Sequence, residues 1–373
     1  MGRPASGQWQ NTSMSFSGGD LSQPGATMAG VTIPPPEADA PGAGPAPALA
    51  GTTSIDAVAA RLAGLLLGDQ VSLDDAAGSE LEFEPVVTLR PLGQPEPSPE
   101  VWAVDGGQAL VADARCLQVV VTRSATVCFR NGRCEVEEVG DLQAHLLGAG
   151  SSHFGLGDVG LELEEGTPVD INLLRDWAEW VAARDCVERA VPGSLVLLDG
   201  DLVPDWRSPT GLAADLFAAA EAGGVTVIGL TKHSSLSRGG APLVGQLELE
   251  AARELGRRCW WAPVARTKAG SRWPDIQVVV AGLDPDSRYA FRIDLPAGVE
   301  PEPALAKLAS VSNDAAFPGY PYPLSVADRL AACPGWVRAE AWLALDEALE
   351  RSGVEAEARQ RAFDDRHRLM ERA

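Results

Sequence analysis

Two carboxylates stand out by the residues around them. Leu195-Val196-Leu197-Leu198 runs into Asp199 and Gly200, and Val101-Trp102-Ala103-Val104 runs into Asp105, Gly106 and Gly107. A short apolar run closed by glycine reads as a buried strand, and open α/β sheets place their ligands at the carboxyl ends of such strands. Two aspartates at two strand tips point to one shared site. Carboxylate oxygens suit hard divalent cations such as Mg2+ and Mn2+. Phosphodiester cleavage uses such ions to activate water and to neutralise the leaving oxygen. The plainer alternative at each position is a turn, because Asp hydrogen-bonds its own backbone and Gly accepts a positive φ.

The flanking chain supplies the frame for these two strands. Ile55, Val58, Leu62, Leu65 and Leu66 have helical spacing, which predicts an amphipathic helix over Ser54–Leu67. Leu81–Leu89 reads as a strand and Pro91–Pro99 as a loop. Leu117–Arg123 and Ala125–Arg130 read as two strands, and Asn131-Gly132 is a hairpin turn leading into Arg133–Glu138. Asp170–Arg189 is a helix with Ile171, Leu174, Trp177, Val181 and Cys186 as its apolar stripe, closed by Pro192-Gly193. After the Asp199 strand come a helix over Leu212–Ala222 and a buried strand, Val225–Leu230, that delivers Thr231 and Lys232. Val244–Leu255 and Ala304–Val311 read as helices, Ile276–Ala281 and Tyr289–Leu295 as strands. A further helix opens at Tyr320-Pro321-Tyr322-Pro323-Leu324. This order predicts an α/β fold with a ribonuclease-H-like mixed sheet flanked by helices, in which an acid on the helix completes a cluster of three carboxylates.

Composition narrows the class. The chain has 373 residues, 45% of them hydrophobic, which is enough for a sizeable core. Residues 1–52, rich in Pro, Gly and Ala, are expected to be disordered. Residues 53–335 are expected to form the folded domain, and 336–373 a charged helical tail. Thirty basic against fifty-two acidic residues give −22, a balance unlike that of a protein that simply coats nucleic acid. The six cysteines show no C-x-x-C spacing and the four histidines are scattered, which argues against zinc and redox motifs. Gly155, Gly157 and Gly160 spell G-x-G-x-x-G, but no buried strand precedes them, so a loop is expected rather than a dinucleotide site. No G-x-S-x-G elbow accompanies a Ser–His–Asp set, which disfavours an α/β hydrolase. With no 18-residue apolar stretch and no leader-like start, the reading is a cytoplasmic protein without a membrane span.

Four segments resemble a known family. Val104-Asp105-Gly106-Gly107, Leu197-Leu198-Asp199-Gly200-Asp201-Leu202, Gly229-Leu230-Thr231-Lys232 and Gly319-Tyr320-Pro321-Tyr322-Pro323-Leu324 occur in the order seen in the NurA nuclease family. The resemblance spans Val101 to Leu330. It implies a ribonuclease-H-like nuclease that uses Mn2+ or Mg2+, as two ions, to cleave single-stranded DNA and DNA ends with 5′–3′ polarity. It also implies a homodimer acting in end resection and repair with a HerA-type hexameric ATPase. Carried over, Asp105 and Asp199 are metal ligands. Glu179, within Arg175-x-x-x-Glu179, is the helix acid, with Glu188 as the fallback and a solvated surface acid as the alternative. Lys232 faces the phosphate unless it is a plain surface lysine, and Tyr320 or Tyr322 lines the site unless the Tyr-Pro pairs only stiffen a loop.

The chain departs from the family at three places: Gly107 and Asp201 each replace a Ser, and Asp328 stands where the family has His. Aspartate offers an oxygen ligand but no neutral nitrogen. A ribonuclease-H-like protein of weakened chemistry, serving as structural partner of a ring ATPase, is therefore the second reading. Arg123, Arg207, Arg238, Arg266 and Lys268, with Lys232, are expected on loops as the basic wall of a DNA channel.

Overall fold

The computed structural model describes residues 54–364 apart from 69–70, 77–79, 149–155, 158–159 and 164–166. The chain divides into two compact units, 1–57 and 58–373. The segment 1–52 lies outside the described residues, as do three of the six positions of the G-x-G-x-x-G, Gly155 among them. Every strand belongs to the second unit.

The elements in chain order are α1 (Ile55–Leu66), β1 (Leu73–Asp75), β2 (Leu81–Phe83), β3 (Arg90–Pro91), β4 (Val101–Asp113), β5 (Leu117–Arg130), β6 (Arg133–Val139) and β7 (Gln143–Gly148). Then come α2 (Ile171–Arg189), β8 (Leu195–Asp199), α3 (Thr210–Gly223), β9 (Thr226–Thr231), β10 (Leu236–Arg238), β11 (Ala241–Pro242) and α4 (Leu243–Glu254). The last are β12 (Trp260–Thr267), β13 (Ile276–Gly282), β14 (Phe291–Pro296), α5 (Pro301–Ala309), α6 (Tyr322–Ala331), α7 (Gly335–Arg351) and α8 (Ala356–Phe363). Among the described residues the main sheet has 11 strands, in the order β2-β12-β13-β14-β9-β8-β4-β5-β6, with β3 added on β12 and β7 on β5. A small sheet, β1-β10-β11, stands apart. β8 pairs in parallel with β4 and β9, and the other ladders are antiparallel. This is the mixed, helix-flanked α/β architecture that the element order predicts.

Strand parity divides the core. Trp102, Val104, Val196 and Leu198 pack on one face against Trp180 and Cys186 of α2 and Leu216 of α3. Val101, Ala103, Leu195 and Leu197 pack on the other against Leu305 of α5 and Leu324 and Ala327 of α6. Strand β8 is covered on both faces, which is why its sequence is a continuous apolar run rather than an alternation. Burial of each such leucine contributes about 1.5–3 kcal/mol. Asp170 caps α2, accepting a 2.9 Å hydrogen bond from the Leu173 amide. Asn131 and Gly132 take φ of 51° and 73°, the pair of positive values that a tight β5–β6 hairpin needs.

Several elements differ from the sequence expectation. The two strands read between Leu117 and Arg130 are one, β5, and the strand read over Leu81–Leu89 is reduced to β2. β12 has no counterpart in the sequence reading, because Pro263 breaks the pattern of its run; the strand absorbs that proline with a register shift between Pro263 and Ala265. Helix α2 buries two sides. Ile171, Leu174 and Trp177 cover a small cluster with Val120, Leu147 and Leu161, while Trp180, Ala183, Cys186 and Val187 face the main sheet and Val181 is exposed. Among the described residues no helix is long and apolar enough to cross a membrane.

Candidate active site

The parallel pairing of β4 with β8 ends at Val104 and Leu198. The next residue on each strand is an aspartate, and parity turns both Asp105 and Asp199 toward the face covered by α6. Asp199 closes its strand, and Gly200 makes the turn with φ 128°. Asp105 is not at a strand tip. β4 runs on through Gly106 and Gly107 to Asp113 in an antiparallel ladder with β5, so Asp105 marks only the point where β4 parts from β8.

Helix α6 brings the third carboxylate. Pro323 starts the helix, Leu324 and Ala327 anchor it to the sheet, and Asp328 follows Ala327. Asp105, Asp199 and Asp328 each present an oxygen within 4.8 Å of the other two. Lys232, just beyond β9, reaches across them: its Nζ lies 2.7 Å from Asp199 Oδ2 and 3.2 Å from Asp328 Oδ1. The same ammonium sits 5.3 Å from the centre of the Tyr320 ring.

Crowding of like charges sets the electrostatics. Burial, then the neighbouring Asp199, pushes the Asp105 carboxyl up to about 7, against the opposing pull of Lys232. Burial alone would lower Lys232, but Asp199 and Asp328 outweigh it and hold its ammonium above the usual lysine value. Burial and then Asp199 raise the Tyr320 phenol. Asp105 Oδ1 accepts the Gly106 amide at 2.7 Å, while Asp105 Oδ2 and the Tyr320 hydroxyl are buried with no hydrogen-bond partner. Three converging carboxylates, one with an orphaned oxygen and a raised pKa, fit a hard divalent cation. The donor set is all oxygen, which favours Mg2+ or Mn2+ over softer metals.

Glu179, expected as a metal ligand, is not one of the three. It descends from α2 on the opposite face of the sheet, is buried, and pairs with Arg175 Nε at 3.2 Å. Burial, only partly offset by Arg175, raises its pKa well above the usual value. It reaches the sheet because position 106 has no side chain: a β-carbon there would overlap Glu179 Oε1 and lie 2.7 Å from Arg175 Cγ. The fallback, Glu188, pairs on the surface with Arg184. Tyr322 stands away from the cluster, half-buried, with its ring edge-on to Phe129 at 5.0 Å.

The expected basic wall is dispersed. Arg123 lies in β5 and donates to the carbonyls of Ala331 and Ala332 at the end of α6, with Nε 3.0 Å from Ala331 O. Arg238 lies in β10 and pairs with Glu250, and Arg266 lies in β12 beside Glu84. These three are strand residues, not loop residues as expected. Arg207 is in a loop but is held by Asp205 and Asp170, each at 2.8 Å. Lys268 is exposed where β12 has just ended.

A cleft of about 510 Å3 opens beside the cluster, with Asp199 and Glu179 in its wall. Its floor contains a charged network that the sequence reading missed. Arg292, almost wholly buried, donates to Asp294 at 2.9 and 3.0 Å and pairs with Asp201 at 3.1 Å. The signal was available: Arg292 and Asp294 alternate with Phe291, Ile293 and Leu295 in one buried strand, placing two opposite charges together on one face.

No family model matches the chain, and no curated protein matches it in sequence. Among solved structures it is similar to the NurA nuclease from Sulfolobus solfataricus at 15% identity and a TM-score of 0.49, over 71% of this chain and 88% of that one. It is also similar to the catalytic domain of human Endonuclease V, at 13% identity and a TM-score of 0.34, over 69% and 85% of the two chains. For Endonuclease V of Ciona intestinalis, solved with DNA, the values are 10% and 0.37, over 65% and 85%.

Proposed function

We propose that the chain is a metal-dependent nuclease that hydrolyses phosphodiester bonds in DNA. The observation that carries this reading is the convergence of Asp105, Asp199 and Asp328 within 4.8 Å, with Lys232 bridging two of them. The three carboxylates would hold Mn2+ or Mg2+, which supplies activation of water and neutralisation of phosphate charge when bound. The remaining roles belong to the chain. Lys232 has three N–H donors, of which two are used by Asp199 and Asp328, so the third is left for a phosphate oxygen. Tyr320 walls the cluster and leaves its hydroxyl available to a ligand.

The finer reading rests on the motif resemblance: single-stranded DNA or DNA ends as substrate, a homodimer, and a HerA-type hexameric ATPase as partner in end resection. The alternative, a chemically weakened scaffold for a ring ATPase, rests on Asp328 in place of the family's His and on the net charge of −22; the position of Asp328 beside Asp105 and Asp199 supports the nuclease reading over it.

Cleavage of end-labelled single-stranded DNA with Mn2+, Mg2+ or EDTA tests this for the wild type and for Asp105→Ala, Asp199→Ala and Asp328→Ala. Metal-dependent cutting that disappears in all three variants is expected. Cutting that survives the substitutions, or a wild type silent both alone and with the cognate ATPase, overturns it.

A further inference from the structure

The cleft beside the carboxylate cluster carries a feature that the reaction itself does not require. Trp206, in the loop between β8 and α3, leaves 64% of its surface exposed while lining this cleft. Its loop is tied down on both sides. Arg207 joins Asp205 to Asp170, the cap of α2, and Arg272 donates to the carbonyl of Ser208 at 3.2 Å. Arg272 also stacks over Trp273 at 4.5 Å, so the opposite rim is fixed as well. The Trp206 indole stands largely in water on a loop tied at both flanks, and so forgoes the burial of its apolar surface.

We propose that this cleft is a nucleobase subsite in which the base of a nucleotide next to the scissile phosphate stacks on Trp206. The proposal rests on the nuclease reading. The lining decides which part of a nucleotide enters. Asp176, Glu179, Asp199, Asp201 and Asp205 face the cleft, and two of its three arginines are paired with carboxylates, Arg175 with Asp176 and Glu179, Arg292 with Asp201 and Asp294, while Arg272 is turned to the Ser208 carbonyl and the Trp273 ring, so the lining is acidic in balance. A phosphate is repelled there, whereas an uncharged aromatic base is accepted. The volume of about 510 Å3 falls within the range of small-molecule sites. Stacking of one base on an aromatic side chain is sequence-tolerant, because every base has a π-face. The carboxylates add a preference. Asp176 uses Oδ1 for Arg175, at 2.7 and 3.2 Å, which leaves its second oxygen for an N–H donor. Guanine, with N–H donors on two neighbouring atoms of its pairing edge, has more ways than thymine to reach that one oxygen.

The test uses the full chain in EDTA and a series of labelled single-stranded oligonucleotides, each abasic at one position, with binding read by anisotropy. In the wild type one position is expected to cost about tenfold in affinity when its base is removed. Trp206→Ala should lose about tenfold on the intact strand and show no further loss at that position, while Trp206→Phe keeps most of the difference. Asp176→Asn should flatten the preference for guanine over thymine there. The subsite is overturned if Trp206→Ala binds every strand as the wild type does, or loses affinity equally at all positions, while metal-dependent cleavage by the wild type persists. A wild type that neither binds nor cleaves DNA overturns the nuclease reading and the subsite with it.

Discussion

Gly107 in β4 lies so close to Ala331 at the end of α6 that a β-carbon on it would overlap the Ala331 carbonyl oxygen. Asp328 sits one helical turn before that contact and is a short side chain, so the approach of α6 to β4 decides whether it reaches Asp105 and Asp199. Arg123 holds the same helix end by the Ala331 and Ala332 carbonyls. Gly107→Ser is therefore expected to push α6 outward. It should cost about 1–3 kcal/mol of stability through overpacking and weaken Mn2+ binding more than it weakens folding. Urea unfolding with and without Mn2+ measures both; equal stability and equal metal affinity would refute this coupling.

Lys232 and the three carboxylates separate metal binding from chemistry. Lys232→Met removes a cation from the cluster, so Mn2+ is not expected to bind more weakly than in the wild type. Cleavage should fall about 100-fold or more, the scale of a lost charge-stabilising donor. Calorimetric titration with Mn2+, set beside single-turnover cleavage, reads the split. A parallel loss of both would make Lys232 a structural support of the cluster instead.

The two candidate third acids stand on opposite faces of the sheet, and this gives them different metal behaviour. Asp328→Asn is expected to lower Mn2+ affinity by about tenfold or more, since ligand charge governs carboxylate sites. Glu179→Gln keeps the shape beside Gly106 and should change Mn2+ affinity by less than about threefold, while loosening the Arg175 contact. Titration of both variants decides which acid completes the site. A reversed order would restore Glu179 as the ligand.

Asp105 ties stability to pH in the metal-free protein. Its folded pKa of about 7 lies above the ordinary 3.8, so the folded state binds the extra proton between those values. Stability from this group is complete below about pH 4 and is lost as pH rises through about 7. In EDTA the urea midpoint should therefore fall between pH 5 and 8, and Asp105→Asn should remove most of that fall. Mn2+ should restore the midpoint chiefly at the alkaline end, where Asp105 is ionised without it. A midpoint that rises with pH equally in wild type and variant would contradict the assignment.

The strand, turn and helix order was legible because each apolar run carries its own period and each turn its own residue, as Asn131-Gly132 does. The placement of Asp105, Asp199 and Lys232 was legible for the same reason: each stands just after a buried run. What spacing does not carry is the face of an element. Glu179 is the helix acid that the resemblance implies, yet α2 covers the opposite side of the sheet from α6, and sequence spacing does not say which helix covers which face. Asp328 is named in the sequence as a possible oxygen ligand, but how close it comes to the other two carboxylates depends on the missing side chain at Gly107, a contact between residues far apart in the chain. The dispersal of Arg123, Arg238 and Arg266 has a similar cause, since strand or loop placement alone does not locate them around one cleft.

Arg292 provides a test of how the floor of the cleft is held. Its guanidinium is about 2% exposed and spans Asp294, which is fully buried, and Asp201 in the turn after Asp199. Burial pushes the Asp294 carboxyl up to about 6 even with Arg292 opposing it, so the aspartate depends on that partner for its charge. Asp294 Oδ2 also accepts the Leu202 amide at 3.1 Å, which ties β14 to the segment that carries Asp199. Arg292→Met is expected to cost about 3–5 kcal/mol, because one partner of a buried pair is left uncompensated. Asp294→Asn keeps a carbonyl acceptor for the Leu202 amide, and combined with Arg292→Met it should recover part of that loss, since no buried charge then remains at position 294. Thermal unfolding of the two single variants and the double variant supplies the cycle. Strictly additive losses would mean that Arg292 is held chiefly by Asp201 and by Asp75 of β1, at 3.1 and 4.0 Å, and that these rather than β14 are what the network secures.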